Sequence, residues 1–226
     1  MAVESNRTPP QHQMKSSSPF SPSFARGALH RNRSTLLWFG GHSGHGDART
    51  QMFRLHAQRR GFVLIDTLRR IGGPPRDAIN MSLSSKYCWV PRGQGQGDPT
   101  RHMVALFHGC IPVFTLGPAG SDDALPFDEL LPWPRFSLRV PTNSLDKLPS
   151  ILRGQARETG LIRRMRRGLG CAWRALMWTS LKGSCFGESV HGDAFDALMA
   201  VLKLRLGKAA PLDPPSHVWN ALCDSL

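Results

Sequence analysis

The chain reads SKYCWVPRG over residues 85–93, QGQGD over 94–98, PTR over 99–101 and HGCIPV over 108–113. The β-favouring side chains of residues 87–90 stop at a proline, which predicts a strand. The glycines that follow let a ligand approach the backbone N–H groups, and Asp98 or Thr100 can cap a helix. A second buried strand is predicted over 111–116. A glycine-rich loop between a strand and a helix is a typical phosphate-binding element.

The same order of elements occurs earlier in the chain. The pattern predicts an apolar strand over 34–39, a glycine-rich loop over 40–47, a helix over 48–60 and a strand over 62–66. A strand, a helix and a second strand in succession indicate parallel pairing.

The remaining pattern predicts a layered α/β protein. Helices are expected over 77–83, 125–131, 145–153, 159–178 and 193–206, and a strand over 136–140. The fold class is therefore α/β, with a Rossmann-like, mostly parallel sheet flanked by helices. Its ligands should bind beyond the carboxyl ends of the strands. We expect a disordered or poorly ordered segment over 1–33, a folded domain over 34–206 and a tail over 207–226.

The composition indicates a basic protein. The 226 residues contain 29 lysines and arginines and 16 acidic residues, which gives a net charge of +13. The arginines are spread along the chain, with one tyrosine and no stacking motif, so nucleic-acid binding is disfavoured. Binding of an anionic substrate or another polyanion remains open.

The cysteines and the hydropathy exclude several classes of protein. No CxxC spacing occurs among the five cysteines, which disfavours structural zinc. Cys88 and Cys110 lie in or beside predicted buried strands, where we expect them to pack as small hydrophobic residues. The sequence contains no stretch of about twenty apolar residues and no secretory signal.

The glycine loops and the arginines beside them are the candidate binding site. A diphosphate could be held by backbone N–H groups and by three guanidinium groups, those of Arg49, Arg92 and Arg101. His42, His45 and Asp47 suggest a metal site, but their spacing enforces no geometry, and we expect no metal. The two histidines are also loop candidates for a catalytic base, which the sequence does not identify.

Several motifs, in this order, resemble the exostosin family of glycosyltransferases. Besides the stretches quoted above, the motifs are LWFGG over 37–41 with Arg49 downstream, PF over 126–127, W and FSL over 133–138, and DAF over 193–195. Plant and algal members of this family build cell-wall and other surface polysaccharides, and animal members build heparan sulfate.

The resemblance implies a glycosyltransferase of the GT-B type. This chain would be the C-terminal, donor-binding half, which takes a nucleoside-diphosphate sugar such as a UDP-sugar, needs no further cofactor and transfers the sugar to a polysaccharide or glycoprotein acceptor. The implied location is the Golgi membrane, through an N-terminal anchor that this sequence does not contain, so the chain is expected to be a fragment or an incomplete gene product. The implied donor-binding residues are Gly40, Gly41, Arg49, Arg92, Gly93, Thr100, Arg101 and Gly109.

One position departs from the family pattern. The family usually has an acidic residue three positions after the arginine that Arg101 matches, where a carboxylate would bind the donor's ribose hydroxyls, and this chain has Val104. Two alternatives therefore stay open: a catalytically inactive relative that acts as a partner subunit of another glycosyltransferase, and a basic polyanion-binding protein.

Overall fold

The computed structural model describes residues 32–44, 46–68, 78–91, 101–116, 125–184 and 191–207. The five strands are β1 (Thr35–Gly41), β2 (Phe62–Asp66), β3 (Ser85–Val90), β4 (Ile111–Leu116) and β5 (Leu138–Pro141). The α-helices in these ranges are α1 (Asp47–His56), α2 (Ala78–Ser84), α3 (Arg101–Phe107), α4 (Leu148–Arg157), α5 (Thr159–Ala172), α6 (Thr179–Lys182) and α7 (Ala194–Arg205). Short 3-10 turns cover Trp133–Arg135, Thr142–Lys147 and Arg174–Leu176.

The five strands form one parallel sheet in the order β2-β1-β3-β4-β5. The predicted fold class, an α/β protein with a Rossmann-like sheet and flanking helices, is confirmed. The chain first places β2 on one side of β1 and then β3 on the other, so the direction of strand addition reverses between β1 and β3. A crevice opens at such a reversal, outside the carboxyl ends of the strands, because the connecting helices lie on opposite faces of the sheet.

Both faces of the central strands are buried. Leu37, Tyr87 and Ile111 are in register on one face, whereas Trp38 and Cys88 are in register on the other. The first face belongs to a large apolar core and the second to a smaller one. Burial on both faces explains why these strands read as continuous apolar runs without alternation.

A disulfide joins Cys88 in β3 to Cys110 just before β4, with the Cα atoms 5.6 Å apart. Our prediction that these residues only pack as small hydrophobic side chains was therefore incomplete. Both are buried, but they also form a covalent link across adjacent strands. Cys171 is disulfide-bonded as well. Two cysteines 22 residues apart give no local signal of pairing, since only the parallel register brings them together.

Two of the predicted helices differ from those observed. Residues 126–130 form turns instead of the helix expected over 125–131, because Phe127 has a φ of 53° and therefore leaves the right-handed helical region. The helix predicted over 159–178 ends at Ala172 and continues as a 3-10 turn. No helix among the described residues is long and apolar enough to cross a bilayer.

Arg33, which we placed in the poorly ordered N-terminal segment, is buried. Its guanidinium donates to the carbonyl oxygens of Ser82 and Ser85, each at 2.7 Å, and to that of His108 at 2.5 Å. A buried arginine needs such acceptors to offset the loss of hydration. Arg33 therefore links the end of α2, the start of β3 and the segment after α3.

Candidate functional site

The candidate site lies at the carboxyl end of β1, beside the point where the order of strand addition reverses. β1 ends in Gly40 and Gly41, and β2 and β3 lie on either side of it. Gly41 is buried, and a Cβ atom on Gly40 would lie 2.8 Å from the Trp38 ring. The two glycines therefore allow close packing of side chains against the backbone at this edge.

Two arginines from different helices converge on one ring at this edge. The Cζ atom of Arg49, in α1, lies 5.8 Å from the ring centroid of Phe39, and that of Arg101, in α3, lies 5.6 Å from it. Both distances are in the range of a cation–π contact. The fold therefore places two of the predicted site arginines around a single buried residue of β1.

The Phe39 ring, which both arginines contact, is held in place by neighbouring aromatic side chains. Phe39 is almost fully buried, and its centroid lies 4.8 Å from that of Trp89 in β3 and 6.0 Å from that of Phe53 in α1, both in edge-to-face contact. Trp89 is fixed in turn by a hydrogen bond of 2.6 Å from its indole N–H to the Thr115 hydroxyl. Phe39 was not among the predicted site residues, because an apolar residue in a buried strand gives no sign that it supports a charge.

Burial makes this pair of charges costly. Desolvation lowers the pKa of the Arg49 guanidinium, and the nearby charge of Arg101 lowers it further. Desolvation alone lowers the pKa of Arg101. Among the described residues no carboxylate forms an ion pair with Arg101. An anion placed between the two guanidinium groups would reduce their mutual repulsion.

Gly41 is in close contact with this cluster. A Cβ atom built on Gly41 would lie 2.8 Å from Cζ of Phe39 and 3.0 Å from Nη2 of Arg101. Only a residue without a side chain leaves both groups where they are. The structure thus gives Gly41 a packing role, and its role in donor binding stays a prediction.

Buried polar contacts hold the loop between β1 and α1. Asp66, at the carboxyl end of β2, is fully buried and accepts hydrogen bonds from the Ser43 hydroxyl and, at 3.0 Å, from the Leu68 N–H. The Thr67 N–H donates to the carbonyl oxygen of Gly41 at 3.2 Å. Asp66 therefore positions the edge of the sheet. The sequence could have suggested it, since a carboxylate at the end of an apolar strand is an unusual pattern.

Comparison with known proteins identifies the family. Residues 8–154 match the Exostosin GT47 domain, and this range includes all five strands as well as Arg49 and Arg101. The chain belongs to the exostosin family. A probable glycosyltransferase of Arabidopsis thaliana is 29% identical over 121 residues, which cover 54% of this chain and 24% of that protein. The matched segment thus spans about a quarter of the length of this relative.

The exostosin-like candidate residues do not all meet at one place. Gly40, Gly41, Arg49 and Arg101 lie at the carboxyl edge, whereas Arg92, Gly93 and Thr100 fall outside the described residues.

Gly109 lies at the opposite edge of the sheet, just before β4, with a φ of 62°. Its N–H donates to Leu106 and that of Cys110 to Ala105, which is the pattern of a glycine that ends a helix. The structure thus gives Gly109 a role in ending α3 and does not bring it to the arginine pair.

The candidate bases and metal ligands are only partly described. Nδ1 of His42 accepts a hydrogen bond of 2.9 Å from the Gly44 N–H, so this ring helps to shape the loop. His45 falls outside the described residues. In the described ranges no group of three or more histidine, cysteine or acidic side chains is suited to hold a metal ion.

Val104 is one helical turn from Arg101 and has 39% of its surface exposed. Residues three apart on a helix share a face. The valine that departs from the exostosin pattern is therefore accessible on the helix that carries Arg101.

Proposed function

We propose that this exostosin-family chain is the donor-binding part of a glycosyltransferase that uses a nucleoside-diphosphate sugar. The observation that carries the proposal is the pair of guanidinium groups, Arg49 and Arg101, that converge on Phe39 beside Gly41 at the carboxyl end of β1. Arginine binds phosphate or carboxylate oxygens with two parallel N–H groups, and a pair of arginines suits a ligand with two adjacent anionic groups, such as a diphosphate.

The proposed reaction is transfer of the sugar to a hydroxyl group. The acceptor oxygen forms a bond to the anomeric carbon, the bond between that carbon and the diphosphate oxygen breaks, and the acceptor proton passes to a base. The nucleoside diphosphate leaves with the electron pair. Arg49 and Arg101 would stabilise the negative charge that develops on it, and their low-dielectric surroundings strengthen this interaction.

A nucleotide-binding role agrees with the topology. Doubly wound sheets with the strand order 2-1-3-4-5 bind their ligands between the first and third strands. The arginine pair lies at that point of this sheet. Residues 34–206 would form the donor domain, and a GT-B partner half would supply the acceptor site and the base.

We infer an oxidising compartment from the disulfides. Disulfides persist in secretory compartments and are rare in the cytosol. The buried link between Cys88 and Cys110, together with the bonded Cys171, supports a lumenal location, and family membership suggests the Golgi. We also propose that the acceptor of the sugar is a polysaccharide, such as a cell-wall polymer, or a glycoprotein.

Calorimetric titration of the full chain with UDP, GDP and other nucleoside diphosphates tests the donor site. We expect saturable binding of one of them. Arg101→Gln should weaken it roughly tenfold to a hundredfold, since a hydrogen bond to a charged group contributes about 1.5–3 kcal/mol. Arg167→Gln removes the same charge from an exposed position of α5 and should leave the affinity unchanged. Absence of a signal across the whole panel would contradict the proposal.

Val104 supports a second candidate, a relative that keeps the fold but has lost activity and assists another glycosyltransferase. Valine cannot accept the hydrogen bonds that the family's acidic residue would accept from ribose. In that case the nucleotide would bind weakly, and the chain would form a stable complex with an active family member that can be isolated by size-exclusion chromatography.

A further inference from the structure

A second basic site lies at the amino end of the sheet, opposite the arginine pair. A groove of about 560 Å³ is lined there by four cations and three small or apolar residues. The cations of this basic groove are Arg60, Lys86, Arg153 and Arg157, and the other lining residues are Leu36, Gly61 and Ala156. They come from β1, β3, the turn before β2 and α4, so only the fold brings them together.

The four cations of the basic groove have no acidic counterpart within the described part of the chain. No acidic side chain from these residues lines the groove, and none of the four cations forms an ion pair with them. Arg157 also lies in the last turn of α4, where a cation complements the helix dipole. That effect does not account for Arg60 or Lys86, which lie outside this helix.

The backbone under the groove is fixed. The Gly61 carbonyl accepts hydrogen bonds from the N–H groups of Leu36 and Leu37, at 2.8 and 3.1 Å. The Arg153 guanidinium donates to the Arg60 carbonyl at 3.4 Å, which links α4 to the segment before β2. The cations are thus held around a shaped hollow, and a ligand with several negative charges would relieve their repulsion.

We propose that the basic groove binds a segment of an anionic oligosaccharide through its carboxylate or sulfate groups. The apolar part of the lining suits the C–H face of a sugar ring, and the cations suit repeated acidic groups. None of the described aromatic side chains lines the groove, so they do not supply the stacking that single-stranded nucleic acids need. None of the exposed large apolar side chains lies in the groove, so it offers no side chain that would insert into a bilayer.

The basic groove is separate from the proposed nucleotide site. Leu36 and Gly41 are five residues apart along β1, which corresponds to roughly 16 Å. The inference depends on the charge and shape of the groove alone. It therefore holds whether or not the chain transfers a sugar.

Binding of defined oligosaccharides to the full chain, measured by calorimetry, tests the inference. The probes are hexagalacturonate, a sulfated heparin hexasaccharide and neutral maltohexaose. We expect at least one of the anionic probes to bind and the neutral one to fail. The double variant Arg153→Ala/Arg157→Ala should lose roughly tenfold or more in affinity, and UDP binding should not change.

A matched control separates the groove from the general charge of the protein. Arg163→Ala/Arg164→Ala removes two exposed arginines from α5 and should change the affinity less than threefold. Lys86→Ala removes a groove cation that belongs to β3. It should also weaken binding of the anionic probe, and it replaces the α4 variant if that variant does not fold. Equal losses in the groove and control variants would overturn the proposal. So would binding of duplex DNA or phosphatidylserine vesicles that groove variants abolish while neither anionic oligosaccharide binds.

Discussion

Phe39 contacts the guanidinium groups of two arginines, Arg49 and Arg101, with one aromatic ring, and so holds two like charges near each other. The guanidinium groups of Arg49 and Arg101 each lie within 6 Å of its centroid. A cation–π contact contributes about 0.5–2 kcal/mol, with the larger values at desolvated sites. Part of the cost of holding the buried Arg49 and the half-buried Arg101 near each other is therefore offset before any ligand binds.

Gly41→Ala should disturb this arrangement directly. The new methyl group would meet the Phe39 ring at 2.8 Å and Arg101 at 3.0 Å. The arginine end can move, but the ring is held by Trp89 and Phe53. We expect a loss of about 1–3 kcal/mol in the free energy of unfolding and weaker nucleotide binding, measured by urea denaturation and calorimetry.

Gly154→Ala is the matched control for this substitution. Gly154 lies inside α4, and a Cβ atom there meets nothing within 4 Å. The variant should be more stable by up to about 1 kcal/mol, because alanine has the higher helix propensity. Equal effects of the two substitutions would show that crowding at Gly41 is unimportant.

Val104→Glu should strengthen nucleotide binding if the missing carboxylate limits it. A charged hydrogen bond to the ribose contributes about 1.5–3 kcal/mol, so the affinity for UDP should rise roughly tenfold or more. Leu202→Glu adds the same charge at a similarly exposed position of α7 and should have no such effect. Calorimetric titration of the two variants and the parent chain with UDP shows whether a carboxylate at position 104 in particular raises the affinity. An unchanged affinity in Val104→Glu would exclude this residue as the limiting one.

At the scale of single elements, α7 is the helix whose start is best defined. The Asp193 carboxylate accepts hydrogen bonds from the N–H groups of Phe195 at 2.9 Å, Asp196 at 3.2 Å and Ser180 at 2.7 Å. It therefore caps α7 and links that helix to α6. Burial alone would raise the pKa of Asp193, but the hydrogen bonds from Ser180, Asp196 and Phe195 outweigh it and hold the pKa below its usual value.

Asp193→Ala should lower the free energy of unfolding by about 1–3 kcal/mol at neutral pH, since the cap and a buried acceptor are both lost. The lowered pKa means that this contribution is complete above the unfolded-state value, near 4, and disappears as the pH falls through the folded-state pKa. The difference between parent and variant, measured by urea denaturation, should therefore shrink below about pH 4. Asp128→Ala removes a carboxylate from an exposed pair with Arg139 and should cost less than about 1 kcal/mol. A similar loss in both variants would contradict the capping role of Asp193.

At the scale of the whole molecule, the link between Cys88 and Cys110 closes a segment of 22 residues that contains α3 and Arg101. A loop of this length corresponds to about 3 kcal/mol in the chain-entropy description. Cys88→Ala/Cys110→Ala should lower the free energy of unfolding by about that amount in non-reducing buffer. Urea denaturation provides the measurement.

A second variant separates the covalent link from the packing. Cys88→Val with Cys110→Ala restores apolar volume without the bond and should remain destabilised to nearly the same degree. Recovery of parental stability in that variant would show that volume, and not the cross-link, is what the cysteines contribute.

Much of the element order was predictable because the signals are local. The strands over 62–66 and 111–116 were predicted at their observed bounds, since continuous apolar runs between glycines and prolines have few alternatives. The turns over 126–130 were missed, since nothing in that short stretch shows that Phe127 adopts a positive φ. The disulfide was missed because pairing depends on strand register.

The sequence alone determined the α/β class, the glycine loops and the arginines that could bind a diphosphate. These features show in the residue types and the hydrophobic periodicity of short segments. Only the tertiary structure decided which of these residues meet. It joined Arg49 and Arg101 on Phe39, placed Gly109 at the far edge and assembled the basic groove from two strands, a turn and a helix. Such contacts depend on strand order and register, which relate residues far apart in the chain and leave no local pattern.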